Sequence, residues 1–236
     1  GKTAFDALLR LLEQQVPVEK IRWIVPRDSW LINRAFTQPG DGFRIAEQTG
    51  IIAAAQSPAA LFEDLETAGQ FLRIDRARTP TMYRCATVTE LELEQLRRID
   101  QVVRLGRVKQ ITRDTIELDD GSVPTSPETV HIDCTADGLE RRPVTPVFGE
   151  RRITLQTVRA CQQVFSAAFI GYLASRGNLD DAQRNTLATV IPHPDTPQDF
   201  ITGSLAHIHS VGRWSADPGL AAWLQESRLS PNGPGG

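Results

Sequence analysis

The first four residues, Gly1-Lys2-Thr3-Ala4, are of types that handle phosphate groups. A glycine turn that opens a helix gathers backbone N–H groups at the positive end of the helix dipole, where an anion is stabilised. Three readings stay open for this turn. In a dinucleotide fingerprint, G-x-G-x-x-[GA], Gly1 is the second glycine, which lets the backbone approach a pyrophosphate. Ala4 is then the small residue that lets helix and sheet pack closely. In a Walker A loop, Gly1-Lys2-Thr3 is the closing GKT, with Lys2 on the β/γ-phosphates and Thr3 on magnesium. An ordinary helix start is the third reading. In both phosphate readings the turn follows a buried strand, so the chain reads as the C-terminal part of a larger protein.

Other residues refine the chemistry. Residues 21–25, Ile-Arg-Trp-Ile-Val, read as a short buried strand stopped by Pro26. Arg27 and Asp28 then fall about where a dinucleotide fold places its ribose-reading residue. Arg27, assisted by Arg34, suits an adenosine 2′-phosphate and hence NADP; Asp28 suits NAD. A solvated arginine at a strand end is the plain alternative. A P-loop enzyme needs a second strand ending in Asp, and Val130-His131-Ile132-Asp133 is a poor one because His131 interrupts the apolar run. Tyr83, Arg84 and Cys85 lie between two expected helices, either as cofactor or substrate contacts or as loop anchors. His207 and His209 are two apart on an expected helix and so face different sides, one core and one surface. The four tryptophans read as core or interface fillers. No Ser/His/Asp set or carboxylate pair is placed by spacing, so no catalytic residue is assigned.

These residues need elements to position them. Phe5, Leu8, Leu9 and Leu12 recur at helical spacing over residues 3–15. Ser57-Pro58 opens a helix to about Leu72, and Thr87-Val88-Thr89-Glu90 reads as a capping box for a helix to about Ile99. Pro39-Gly40-Asp41-Gly42 is a loop. Residues 36–98 thus read as a helical insertion. Residues 102–121 read as a small antiparallel meander with Asp119-Asp120-Gly121 as a turn, and residues 130–134 as a strand returning to the main sheet. Beyond a Pro-rich crossover, residues 153–156 read as a strand and 164–175 as an apolar helix. Thr196-Pro197 and Asp217-Pro218 cap two more helices, Asp180-Asp181 caps another, and 230–236 is a frayed tail.

Composition bounds the function. The chain has 236 residues, 40% hydrophobic and 23% charged, enough for one large or two small cores. A net charge of -3 gives no argument for nucleic acid or an anionic membrane. No apolar run approaches the ~20 residues of a membrane span. The three cysteines, Cys85, Cys134 and Cys161, show no CxxC and no Cys/His metal spacing, so no metal site is expected. Their odd number suits a reducing cytoplasm.

Four segments carry a family resemblance: Gly1–Ala7 (GKTAFDA), residues 23–30 (WIVPRDSW), residues 82–87 (MYRCAT) and residues 133–138 (DCTADG). In them the chain resembles bacterial FAD/NAD(P)-binding proteins, and more broadly the two-dinucleotide flavoproteins, the flavin-containing monooxygenases and pyridine-nucleotide reductases. The resemblance implies an α/β fold. It comprises a truncated Rossmann-like NAD(P)-binding domain over 1–138, with helical insertion and meander, and a mostly helical part over 139–229 returning to an FAD domain. Cys134, Thr135 and Ala136 match the family's Ala-Thr-Gly motif, with Ala136 in place of the usual glycine and with His131 and Asp133 making the strand unusually polar. The implied cofactors are FAD and NADP, or NAD. The implied reaction is hydride transfer from NAD(P)H to FAD, in a monooxygenase or a reductase. The implied partners are an unassigned small-molecule substrate and the FAD-binding half of the same protein. A truncated P-loop NTPase and a non-enzymatic module on a Rossmann-like fold are the alternatives.

Overall fold

The structure, a computed structural model, describes residues 1–37, 45–137 and 142–230. The expected 39–42 loop, Gly138 and residues 231–236 lie outside the described residues. The fold is mixed α/β, with eight α-helices and four small sheets among the described residues.

Helix α1 (Lys2–Glu13) forms where the apolar spacing predicts it, burying Phe5 and Leu8. It leads into strand β1 (Trp23–Ile24), and the Phe5 ring meets Trp23 edge-on at 5.8 Å. After β1 come β2 (Ser29–Asn33), α2 (Ile45–Ala54), α3 (Pro58–Thr67), β3 (Phe71–Leu72), β4 (Met82–Val88), α4 (Glu90–Leu96) and β5 (Val102–Val103). Strands β1 and β5 pair in parallel, Trp23 with Val102 and Ile24 with Val103, and α4 is the helix that leads into β5. Helices α1 and α4 touch, and their apolar faces share one core with the strand pair: Phe5, Leu8, Trp23, Val25, Leu93 and Leu96.

The stretch expected to be a helical insertion is partly sheet. Strand β2 lies between β3, antiparallel, and β4, parallel. Two local causes explain the difference. Gly69, at φ 71°, turns the chain out of α3, so Phe71 and Leu72 leave the helix and join β2. Thr87 and Val88 are held in the ladder opposite Ile32 and Asn33, so the capping box forms two residues later, between Thr89 and Glu92. An aromatic cluster of Trp30, Phe62, Phe71, Tyr83 and Phe200 covers this sheet.

The meander comprises β6 (Val108–Ile111), β7 (Thr115–Leu118) and β8 (Gly121–Pro124), whereas Val102 and Val103 belong to the parallel pair. The strand expected at 130–134 does not form. Val130 is 83% and Ile132 58% exposed, and no neighbouring strand among the described residues offers them a ladder. The expected strand at 153–156 shrinks to a short hairpin of β9 (Phe148–Gly149) and β10 (Arg152–Ile153). Helices α5 (Gln163–Ser175), α6 (Asp181–Leu187), α7 (Pro197–Ala216) and α8 (Pro218–Glu226) follow, the last three capped by Asp180, Thr196 and Asp217. Phe165, Phe169, Leu173, Trp214 and Leu220 form their core. This C-terminal part is tied to the earlier sheet: Phe200 of α7 sits 4.9 Å from the Tyr83 ring, and the Tyr83 amide donates to the Asp195 carbonyl at 3.0 Å. No helix among the described residues is long and apolar enough to cross a membrane.

Candidate functional site

Helix α1 starts without a side-chain cap and without an acidic residue in its first turn. Its leading amides therefore keep the positive character of a helix N-terminus. A side chain built at Gly1 would meet no other atom of this chain within 4 Å. Lys2 is turned to carboxylates rather than to the helix start. Its ammonium lies 2.7 Å from Asp6 and 3.3 Å from Glu92. Arg34 reaches the same Glu92 carboxylate at 4.0 Å. Burial pushes the Glu92 carboxyl up, but the Thr89 amide and Lys2 more than offset this and hold it below its ordinary value.

A second group of charges follows the carboxyl ends of β1 and β5. Asp28 receives a two-pronged bond from Arg104, at 2.8 and 3.2 Å. Arg27 donates to the Asp195 carboxylate and carbonyl, both at 3.1 Å. Arg84 donates to the other Asp195 oxygen at 2.6 Å and lies 3.5 Å from Asp137. Burial alone would raise the Asp195 carboxyl; the hydrogen bonds and charges of Arg84 and Arg27 prevail and hold it at about 2. Arg27 and Arg34, expected to act together on one phosphate, are thus engaged by different carboxylates.

The Cys134-Thr135-Ala136 segment reaches the same neighbourhood through Asp137 and Arg84. Thr135 turns back, its amide and hydroxyl donating to Asp133 at 2.8 and 2.6 Å, and Ala136 is exposed. Asp133 is therefore bound to Thr135 rather than held at a strand end as a magnesium-binding Walker aspartate requires.

Tyr83, Arg84 and Cys85 sit within β4, not between helices. Tyr83 is buried in the aromatic cluster, stacked on Phe71, and burial pushes its phenol up. Cys85 is bonded to Cys161 across a Cα separation of 6.3 Å, a pairing that the spacing of the cysteines did not reveal; Cys134 stays free. His193 lies beside that pair. His207 and His209 divide as expected: His207 packs on Trp214 at 5.6 Å, and His209 is exposed. Asp195, His193 and the pairing of Cys161 were missed, because each acquires its role from a contact more than 30 residues away in sequence. Two surface depressions, of about 430 and 340 Å3, lie on the C-terminal helices and the β9–β10 hairpin rather than at α1.

No protein-family model matches the chain, and no solved structure matches it. It is similar to the uncharacterized protein Rv2000 of Mycobacterium tuberculosis and the uncharacterized protein Mb2023 of Mycobacterium bovis. Each is 51% identical over 236 residues, covering 98% of this chain and 44% of the relative. The chain therefore spans less than half the length of these relatives.

Proposed function

We propose that the chain is the NAD(P)-binding and C-terminal part of a flavin-dependent NAD(P)H oxidoreductase. The observation that carries this reading is one arrangement. A helix with an uncapped N-terminus enters a strand of a parallel pair, and the residues following both strands gather charged groups at that end. Open α/β sheets bind dinucleotides at such an end. In the Rossmann-like reading, the sheet's central strand lies on the side of β1 away from β5, with residues 130–134 beyond it. That assignment accounts for the exposed apolar side chains of Val130 and Ile132.

The residues present fit a pyrophosphate at the uncapped first turn of α1, where backbone amides and the helix dipole favour it. They fit a 2′-phosphate at Arg27 on one condition: the phosphate must compete with Asp195 for the guanidinium. When bound, the nicotinamide supplies a hydride and the flavin accepts it. This chain's residues bind and orient. The amides of Lys2 and Thr3 hold phosphate beside the small Ala4, whose own amide bonds to the Gly1 carbonyl; Arg27 and Arg34 supply positive charge, and the small Cys134 and Ala136 admit a close approach to backbone. No residue of the chain is assigned as acid or base.

The test is made on the whole protein carrying this chain. It should hold flavin in stoichiometric amount, and NADPH should bleach the flavin absorbance in the absence of air. A whole protein that folds, carries no flavin and does not gain any on incubation with FAD contradicts the reading.

A further inference from the structure

Cys85, Cys161 and His193 each offer a donor atom, and these three atoms lie within 4.8 Å of one another. They come from three separate segments, each fixed by its own bonds. Cys85 lies in β4 at an irregularity in its pairing with β2, where Trp30 faces Tyr83 but Ile32 faces Thr87. Cys161 precedes α5 on a segment joined to Ile191 by two bonds, the Ile191 amide to the Thr157 carbonyl at 2.8 Å and the Thr157 hydroxyl to the Ile191 carbonyl at 2.5 Å. His193 lies two residues beyond Ile191, on a stretch that the Tyr83–Asp195 bond and the grip of Arg27 and Arg84 on Asp195 hold against β4.

Two features go beyond what a cross-link needs. Among the described residues only Gln15, Cys85 and Cys161 are non-glycine residues with left-handed backbone, at φ 59°, 56° and 61°. Such conformations cost of order 1–3 kcal/mol each and gather at functional sites. The second feature is the third donor. His193 Nδ1 lies 3.1 Å from the Pro194 carbonyl. The tautomer that donates there leaves Nε2 as the lone-pair donor, the arrangement that orients metal-bound histidines.

We propose that reduction of the Cys85–Cys161 bond opens a three-ligand site for a thiolate-favouring divalent cation of the zinc class, formed by the two sulfurs and a ring nitrogen of His193. In a tetrahedral zinc site the Zn–S distance of about 2.3 Å sets the sulfurs about 3.8 Å apart. Cysteines with Cα atoms 6.3 Å apart meet that spacing by small side-chain rotations. Reduction adds two electrons and two protons to the sulfurs, supplied by a dithiol that becomes a disulfide. The cation then takes the place of the two thiol protons, which leave to solvent. The fourth coordination position is open to water. Bond and cation are alternative states of the same two sulfurs. The inference is independent of the dinucleotide reading.

The test uses the full chain with Cys134→Ser, so that the pair supplies the only thiols. The chain is reduced with a non-chelating phosphine under argon and titrated with Co2+. The reduced chain should bind one ion with a thiolate-to-cobalt charge-transfer band, lose the band on addition of Zn2+, and bind none when oxidised. His193→Ala keeps both cysteines and can still form the native bond; once reduced, it should bind Co2+ at least tenfold more weakly. Cys85→Ser should abolish the band. The proposal is overturned if the reduced chain binds no Co2+, if the oxidised chain binds it equally, or if reduced His193→Ala binds as tightly as its parent.

Discussion

Asp195 is the residue on which distant parts of the chain converge, because its carboxylate joins Arg27 from the turn after β1 to Arg84 from β4. Asp195→Asn keeps the shape but removes the charge, leaving two half-buried guanidinium groups with a weaker acceptor. It should cost about 1.5–3 kcal/mol, the range for hydrogen bonds to charged groups, read as a lower urea midpoint. The pH dependence has a definite sign. Burial, then the Arg159 charge, lowers the His207 imidazole from 6.5 to about 4. The unfolded chain then takes up this proton more readily than the folded one. Stability is complete above pH 6.5 and declines as pH falls to about 4. The Asp195 carboxyl, held at about 2 against an ordinary 3.8, adds a second loss as pH falls between those values. His207→Gln should flatten the first decline and leave the second; an unchanged slope between pH 6.5 and 4 would remove His207 as its cause. None of these roles was legible locally. Arg27 and Arg34 stand out in the sequence as arginines after a strand, but their carboxylate partners lie 168 residues away for Arg27 and on α4 for Arg34.

Elements with local signals were read well. The apolar spacing of α1, the Ser57-Pro58 start of α3 and the caps Asp180, Thr196 and Asp217 each act within one helical turn, so a few adjacent residues suffice to identify them. The β2–β4 sheet was missed because its stability comes from pairing across the intervening α2 and α3, which no local pattern records. The 130–134 stretch was read as a strand from its composition, yet a strand needs a neighbour, and none of the described strands pairs with it. Turn glycines yield a prediction at this scale. Gly69 and Gly106 both have left-handed backbone, at φ 71° and 77°. A Cβ at Gly69 would meet the Phe36 ring at 3.7 Å, an ordinary contact, whereas one at Gly106 would lie 2.6 Å from the Asp119 Cβ. Gly69→Ala should cost about 1–2 kcal/mol from backbone strain alone. Gly106→Ala should cost more, because the meander must also shift; equal thermal midpoints for the two variants would contradict this.

At the scale of the whole molecule, the chain forms a mixed α/β fold whose C-terminal helices are joined to the earlier sheet by Phe200, Asp195 and the Cys85–Cys161 bond. In the proposed reading, the FAD site is completed by sequence outside this chain, so the chain by itself should bind FAD weakly; stoichiometric yellow protein from this chain alone would contradict that division. The coarse α/β class was legible in the turn, α1 and β1, whereas α4 and β5 were read as parts of the helical insertion and the meander. The helix-by-helix joining of the C-terminal part was not, because it depends on which aromatic side chains meet. The most direct test of the central claim is the affinity of the whole protein for NADPH after Gly1→Asp. The substitution supplies a side-chain N-cap where Gly1 has none, which should leave α1 unharmed or stabilise it by a few tenths of a kcal/mol. It also sets a carboxylate where a pyrophosphate is proposed to sit. The account predicts at least tenfold weaker NADPH binding, about 1.4 kcal/mol, with an unchanged or raised melting temperature; unchanged NADPH affinity in a folded variant would contradict it.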